Sequence, residues 1–456
     1  MAEDKKVVVR FPPSPTGFLH MGNVRTALYN YLFAKQNGGK FLIRIEDTDK
    51  TRSKKEYEDD MFASMKWLGL EHDNKGEEWR QTARADVYKK YLDLLIKSGV
   101  VYISSESEGE NREVVRFKNP GGKIKFSDLI RGEVETDVGY LNDFIIARNV
   151  GEPLYHLTVV VDDLESKVTH IIRGEDHIPN TPRQILIWKA IAEVSGTLLD
   201  IPQYAHLPMI LAPDKSKLSK RKHGETVSLR YYREKGYEPA AIINFLALIG
   251  WNPGTDQEIF SLTELVKIFD LAKVQKKGGV FNVEKLDWVN REYILRSSHE
   301  VQIENLKTQL AKTKFKNSEK WQDEKFTAKF LQIILDRFHR WGEVSETLDA
   351  GEFDYLFEKP LVNKEKIVWK SQSANEAAKN LGKVLEILDI MGESYEEKVM
   401  QYATETGKGE VLWPLRYALS GREKSPDPMT LISILGINES GARIRLAIES
   451  LEELGK

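Results

Sequence analysis

Lys6-Val7-Val8-Val9-Arg10-Phe11-Pro12-Pro13-Ser14-Pro15-Thr16-Gly17-Phe18-Leu19-His20-Met21-Gly22-Asn23 is the stretch that decides the fold class. Three valines in a row favour extended backbone, and the prolines that follow lack donors, so a strand stops near Phe11 and a loop takes over. From Asn23 the apolar residues Val24, Ala27, Leu28, Tyr31 and Leu32 recur at helical spacing, with Gly38-Gly39 as a stop. Phe41 to Ile45 is again strand-like and ends in the acidic turn Glu46-Asp47-Thr48-Asp49. The order is β-α-β. Outward from there, Ser53-Lys54-Lys55-Glu56 has the form of a capping box ahead of a helix with Tyr57, Met61, Ser64, Met65 and Leu68 on one face. A third helix carries Val87, Tyr88, Tyr91, Leu92 and Leu95 to Gly99. This alternation predicts a mostly parallel sheet with helices on its faces and a ligand site beyond the carboxyl ends of the strands.

Residues 103–157 break the rhythm. Ser104 to Asn111 is polar and acidic, and Gly121-Gly122 marks a tight turn, so this stretch reads as an insertion. The α/β pattern resumes with Thr158 to Val161 and Thr169 to Arg173 as strand-like runs. A helix capped by Thr181 with Pro182 at its first position follows, and then a strand-like run from His206 to Leu211. After about residue 224 strands become rare, and from about 300 onward amphipathic segments predict an all-helical region. With 456 residues and 41% hydrophobic composition the chain can bury several cores, and the absence of any long apolar run argues against a membrane span. Zero cysteines exclude disulfides, thiolate zinc sites and cysteine nucleophiles. A net charge of -3 means that a polyanionic partner has to be held by local basic patches.

Three stretches carry chemistry. His20 and Gly22 arrive at the start of a helix, where free N–H groups favour phosphate; His20 can donate to a phosphate oxygen, and Gly22 admits close backbone approach. Lys215-Ser216-Lys217-Leu218-Ser219-Lys220-Arg221-Lys222 concentrates five basic residues in eight, a cluster suited to a pyrophosphate leaving group. Arg173-Gly174-Glu175-Asp176-His177 ends a strand. Together Arg173 and Arg10 would offer two fixed cations to a substrate with two carboxylates, while Glu46 offers a counter-charge for an ammonium group.

These motifs, in this order and with Val161-Asp162-Asp163 between them, resemble bacterial-type glutamyl-tRNA synthetases. Phe281 to Leu286, Trp288, Asn290, Tyr293, Ile294 and Trp413-Pro414-Leu415-Arg416 extend the likeness along nearly the whole chain. The resemblance implies a Rossmann-type α/β catalytic domain in two halves, 1–102 and 158–224, split by an inserted α+β connective domain over 103–157. A stem-contact domain over 225–299 and an all-helical anticodon-binding domain over 300–456 would follow. It implies catalytic roles for His20, Gly22, Lys217 and Lys220, and an ATP site that also includes Thr16, Gly17, Asn23, Leu218, Ser219 and Arg221. Arg10, Ser14, Glu46, Tyr155 and Arg173 fall on glutamate-site positions, and Arg337 on an anticodon-reading position. The implied reaction joins L-glutamate to tRNA(Glu), with tRNA(Gln) as an alternative acceptor, using ATP with Mg2+, in a cytoplasmic monomer without structural zinc. Met21 and Asn23 depart from the ideal HIGH signature, and Val159 and its neighbours offer no polar group where some relatives place Asn. Rival readings are a small-molecule adenylyltransferase, which would not need the 230 residues after the basic loop, a silent RNA-binding relative, and a glutaminyl enzyme, whose anticodon region would be rich in strands.

Overall fold

The computed structural model describes residues 6–77, 79–106, 113–196, 199–363 and 365–452. The tract at 107–111, part of the acidic run noted above, lies outside the described residues. The chain divides into two compact units, Met1–Tyr293 and Ile294–Lys456.

In the first unit, β1 (Val8–Phe11), α1 (Met21–Gln36), β2 (Lys40–Ile45), α2 (Lys55–Trp67), β3 (Trp79–Arg80) and α3 (Ala85–Ser98) form the expected alternation. Strands β1, β2 and β3 pair in parallel. The inserted stretch contributes β4 (Val101–Ser105), β5 (Glu113–Phe117), β6 (Lys123–Asp128), β7 (Gly132–Asp137) and β8 (Phe144–Ala147); α4 (Tyr155–Glu165), β9 (His170–Gly174), α5 (Thr181–Ser195), β10 (Gln203–Leu207) and β11 (Ile210–Leu211) follow. Strands β4, β5 and β8 make a small antiparallel sheet. The β6–β7 hairpin instead joins β10 and β9 in the order β7-β6-β10-β9, with β9, β10 and β6 parallel. The two parallel sheets meet where Thr169 N–H donates to Val8 C=O at 2.9 Å. The carboxyl ends of β1 and β9 therefore lie side by side.

Several local expectations need correction. Thr158 to Val161 is not a strand but the middle of α4. Leu157, Val160 and Val161 are fully or almost fully buried and recur at helical spacing, and that burial outweighs the few tenths of a kcal/mol that β-branched residues cost in a helix. Ser53 does not cap α2. Its N–H closes a turn onto Asp49 C=O at 2.9 Å, so the chain enters the helix late, with Lys54 as a cap that makes no side-chain bond. Helix α5 is capped by Asn180, and Thr181 is its first residue with its hydroxyl engaged elsewhere. The run from His206 to Leu211 breaks at Pro208 into β10 and β11, as a residue without a donor requires. Helix α1 starts at Met21, two residues before Asn23.

Short helices α6 (Lys220–His223), α7 (Leu229–Glu234), α8 (Pro239–Leu248) and α9 (Leu262–Ile268) follow, then β12 (Gly279–Val280), which pairs with β11, and α10 (Val283–Arg296). Tyr29 on α1 ties α8 down by donating to Ala247 C=O at 3.0 Å. Among the described residues no strand follows Val280. The second unit is built from α11 (His299–Leu310), α12 (Glu324–Arg337), α13 (Gly342–Asp349), α14 (Ala374–Met391), α15 (Tyr395–Thr406), α16 (Lys408–Ser420), α17 (Pro428–Leu435) and α18 (Ile437–Glu452). They enclose one core that includes Leu306, Phe330, Leu381, Leu415 and Ile444. Among the described residues no helix is long and apolar enough to cross a membrane.

Candidate active site

A cavity of about 860 Å³ opens at the carboxyl ends of β1 and β9. Arg10 and the loop after it, Arg173 to His177, the Leu207–Ile210 turn and the lysine-rich loop all contribute to its wall. His20 and the pair Lys217 and Lys220, about two hundred positions apart in the chain, thus face one space. Thr16, Gly17, Gly22, Asn23, Leu218, Ser219, Ser14, Glu46 and Tyr155 also line it, whereas Arg221 does not.

His20 is placed by the helix it begins. As the cap of α1 its Nδ1 accepts the Asn23 N–H at 3.3 Å. A ring nitrogen that accepts carries no proton, so this hydrogen-bond network assigns the proton to Nε2 and makes that atom a donor. Burial against the cleft walls and then the positive charge of Lys217 hold its pKa below the ordinary value, which favours the neutral ring, while the residue as a whole stays exposed. Gly22 belongs to the same arrangement: a Cβ there would stand 3.1 Å from both Cε1 and Nδ1 of His20.

Arg10 and Arg173 stand on neighbouring strands but are held differently. Arg10 donates from Nε and Nη2 to Asp163 at 3.0 and 3.3 Å, and its buried Nη1 has no partner among the described residues. Asp163 also accepts from Arg44 Nη1 at 2.6 Å, and Arg44 donates to Glu46 at 3.0 Å. Burial alone would raise the Asp163 pKa; the two guanidiniums outweigh it and leave the carboxyl below its usual range. Glu46 moves the other way, because burial pushes its carboxyl up against the pull of Arg44 and Arg10. It is therefore already paired with Arg44, not free as a lone counter-charge. The sequence reading gives Arg173, with Arg10, to a substrate carboxylate. Within the protein it donates to neutral acceptors: Gln184 Oε1 at 2.8 Å, Thr181 Oγ1 at 2.7 Å and His206 Nε2 at 3.3 Å. Those bonds use three of its five N–H groups and leave two for a ligand. No carboxylate lies within ion-pairing distance of it among the described residues.

In the basic loop, Lys220 Nζ lies 3.1 Å from Glu225 and Lys222 Nζ 2.6 Å from Asp214, both pairs exposed. Tyr155 OH shares a hydrogen bond of 3.0 Å with His177 Nδ1. In the second unit Arg337 ends α12, pairs with Glu352 at 3.2 Å and stacks its guanidinium over Phe338 and Phe353. His206, Thr181 and Gln184 lie outside the motifs, and Asp163 enters them only within Val161-Asp162-Asp163, with no role of its own. One signal was present for Asp163: two acids directly after three buried valines must find cationic partners.

Two half-buried histidines give a pH expectation. His156 is pushed down to about 4, first by burial and then by Arg183, and His177 also to about 4, by burial and Arg173. Both folded values lie below the ordinary 6.5, so on acidification the unfolded chain binds protons that the fold refuses. Stability is expected to be undiminished by these rings above pH 6.5 and to fall as pH drops from there toward about 4. Melting temperatures measured across that window check it; a flat profile would contradict it.

Residues 6–113 and 102–288 match the family model described as tRNA synthetases class I (E and Q), catalytic domain, and residues 302–448 match the one described as anticodon binding domain. The glutamate–tRNA ligase 1 of Petrotoga mobilis is 39% identical over 97% of each chain. The glutamate–tRNA ligase of Aquifex aeolicus is 38% identical over 98% of this chain and 99% of its own. The crystal structure of a glutamate tRNA ligase from Elizabethkingia meningosepticum, in complex with its amino acid, superposes with a TM-score of 0.85 at 32% identity, covering 98% of this chain and all of that one. By sequence along nearly its whole length and by fold, the chain belongs to the glutamate–tRNA ligases, a branch of the class I tRNA synthetases.

Proposed function

We propose that the cavity binds ATP and L-glutamate side by side and makes glutamyl-adenylate, which then acylates tRNA(Glu). The observation that carries this reading is the convergence of His20, Lys217 and Lys220 on one cavity that also holds Arg10 and Arg173. A glutamate α-carboxylate oxygen attacks the α-phosphorus of ATP, and the bond to pyrophosphate breaks. His20 donates from Nε2 to a phosphate oxygen, and Lys217 and Lys220 neutralise the charge that collects on pyrophosphate. Arg10 and Arg173 hold the carboxylates with their remaining N–H groups, Glu46 faces the ammonium, and Tyr155 and Ser14 complete the pocket. The 2′-hydroxyl of the terminal adenosine then attacks the acyl carbon and AMP leaves. Of the cavity-lining carboxylates, Glu46 is tied to Arg44 and leaves Asp176, so Mg2+ enters carried on the phosphates of ATP and not in a protein cage. Arg337 is the proposed contact to the anticodon. The enzyme works as a cytoplasmic monomer.

Aminoacylation of purified tRNA(Glu) and tRNA(Gln) with labelled glutamate and ATP tests this. Charging of tRNA(Glu) is the expected result, and charging of both would establish a non-discriminating enzyme. Absence of charging on either, with correctly folded protein, would overturn the reading.

A further inference from the structure

Asp128 closes β6, within the inserted stretch, and its carboxylate sits among four donors. Oδ1 accepts from the N–H groups of Ile130 and Arg131 at 2.9 and 2.8 Å; Oδ2 accepts from the His206 N–H at 3.0 Å and from His206 Nδ1 at 2.6 Å. A carboxylate can only accept here, so His206 must carry its proton on Nδ1. Its Nε2 is then a bare acceptor, and it meets Arg173 Nε at 3.3 Å and Thr181 Oγ1 at 3.1 Å. The Tyr204 ring stacks on the imidazole with 4° between planes, which fixes its orientation. His206 and Thr181 are fully buried and Asp128 almost so, and neither Asp128 nor His206 lines the cavity. The same turn reaches the cavity by a second route: Arg131 pairs with Glu175, whose other oxygen accepts the Met209 N–H at 2.7 Å.

Because Arg173 has only neutral acceptors around it, its hydrogen bonds, together with the Tyr204 ring 5.8 Å from its guanidinium carbon, set the plane of that group. We propose that Asp128 and His206 are positioning residues for the substrate carboxylate: by fixing one imidazole tautomer, the inserted hairpin aims the two remaining N–H groups of Arg173 into the cavity. This rests on the reading of Arg173 as a glutamate contact. Neither residue touches substrate, so their effect is on glutamate binding and not on ATP or on the chemical step.

The test uses full-length enzyme with tRNA present, pyrophosphate exchange measured at varied glutamate and, separately, varied ATP, and melting temperatures for each variant. An asparagine amide falls where Nδ1 was and a glutamine amide where Nε2 was. His206→Asn, which can keep Asp128 but offers Arg173 nothing, is expected to raise KM for glutamate about tenfold, the size of one hydrogen bond to a charged group, with kcat and KM for ATP within about threefold. His206→Gln restores an acceptor and should stay within about threefold of the parent in KM for glutamate. Asp128→Asn puts an NH2 group against two donors and should behave as His206→Asn does; if it fails to fold, the two His206 variants carry the comparison. Equal glutamate KM in His206→Asn and His206→Gln, or losses spread evenly over both substrates and kcat, would overturn the positioning role. Arg173→Lys separates the two levels. If it leaves KM for glutamate unchanged, the reading of Arg173 fails and the proposal with it. If it raises KM while His206→Asn does not, only the positioning pair is refuted.

Discussion

Replacing Lys220 with alanine is expected to slow glutamyl-adenylate formation by about 10²–10³-fold, the usual effect of removing one preorganised donor from charge that develops in a transition state. Lys220 lies 3.1 Å from Glu225, and both side chains are largely in solvent. An exposed pair of that kind is worth at most about 1 kcal/mol, whereas a donor on the departing pyrophosphate is worth roughly 3. The comparison decides the outcome: the lysine leaves Glu225 when triphosphate enters. Lys222 is the control. It lies two residues along the same loop but is paired with Asp214 at 2.6 Å and does not line the cavity, so Lys222→Ala should change the rate little. Pyrophosphate exchange with tRNA present measures both variants. A Lys220→Ala enzyme that exchanges at the parent rate would remove this lysine from the phosphate site, and equal losses in the two variants would point to general loop charge instead of placement.

What could be read from the sequence was whatever is local. The strand–loop–helix from Val8 to Gln36 is legible because valine runs, prolines and helical periodicity act over a few residues, and the basic loop is legible because its charge density has no other obvious use. Even the convergence of His20 with Lys217 follows once both are assigned to the carboxyl ends of parallel strands. The rest depends on partners far away in sequence. Ser53 looks like a cap until Asp49 claims its N–H, and Thr181 until Arg173 and His206 engage its hydroxyl. The Val159–Val161 run looks like a strand because β-branching is visible locally, while the packing that buries every residue of α4 from Leu157 to Asp163 is not. His206 reads as one polar residue in a strand; that it carries a proton on a particular nitrogen, and for whom, exists only in the fold.

The same dependence on distant partners makes Asp163→Ala the largest expected loss of stability, roughly 3–5 kcal/mol for the first unit, because it strands buried cations. Arg10 and Arg44 are 2% and 3% exposed and share this one carboxylate. Once it is gone, Arg44 retains Glu46 at 3.0 Å and Asp162 at 3.5 Å, and Asp162 is already shared with Arg84, Gln81 and Tyr88. Arg10 retains nothing that the described residues provide. Asp163→Asn keeps the shape and loses the charge, so it should fall between Asp163→Ala and the parent. Glu46→Gln should cost less than either, since burial already pushes that carboxyl toward its neutral form. The pH dependence has a matching sign. The folded pKa of Asp163 lies below its unfolded value, so its contribution is complete above about pH 4 and is lost as pH falls through the lowered folded value; the alanine variant lacks that acid-sensitive component. Melting temperatures and hydrogen exchange across 8–45 and 155–165 measure the loss, and an Asp163→Ala protein as stable as the parent would mean that the two arginines had found solvent or other partners. A second consequence concerns the site itself. Arg10 owes its direction to both oxygens of Asp163, so any variant that does fold should also bind glutamate more weakly, and the stability loss and the rise in glutamate KM should follow the same order through the series Asp163→Asn, Asp163→Ala.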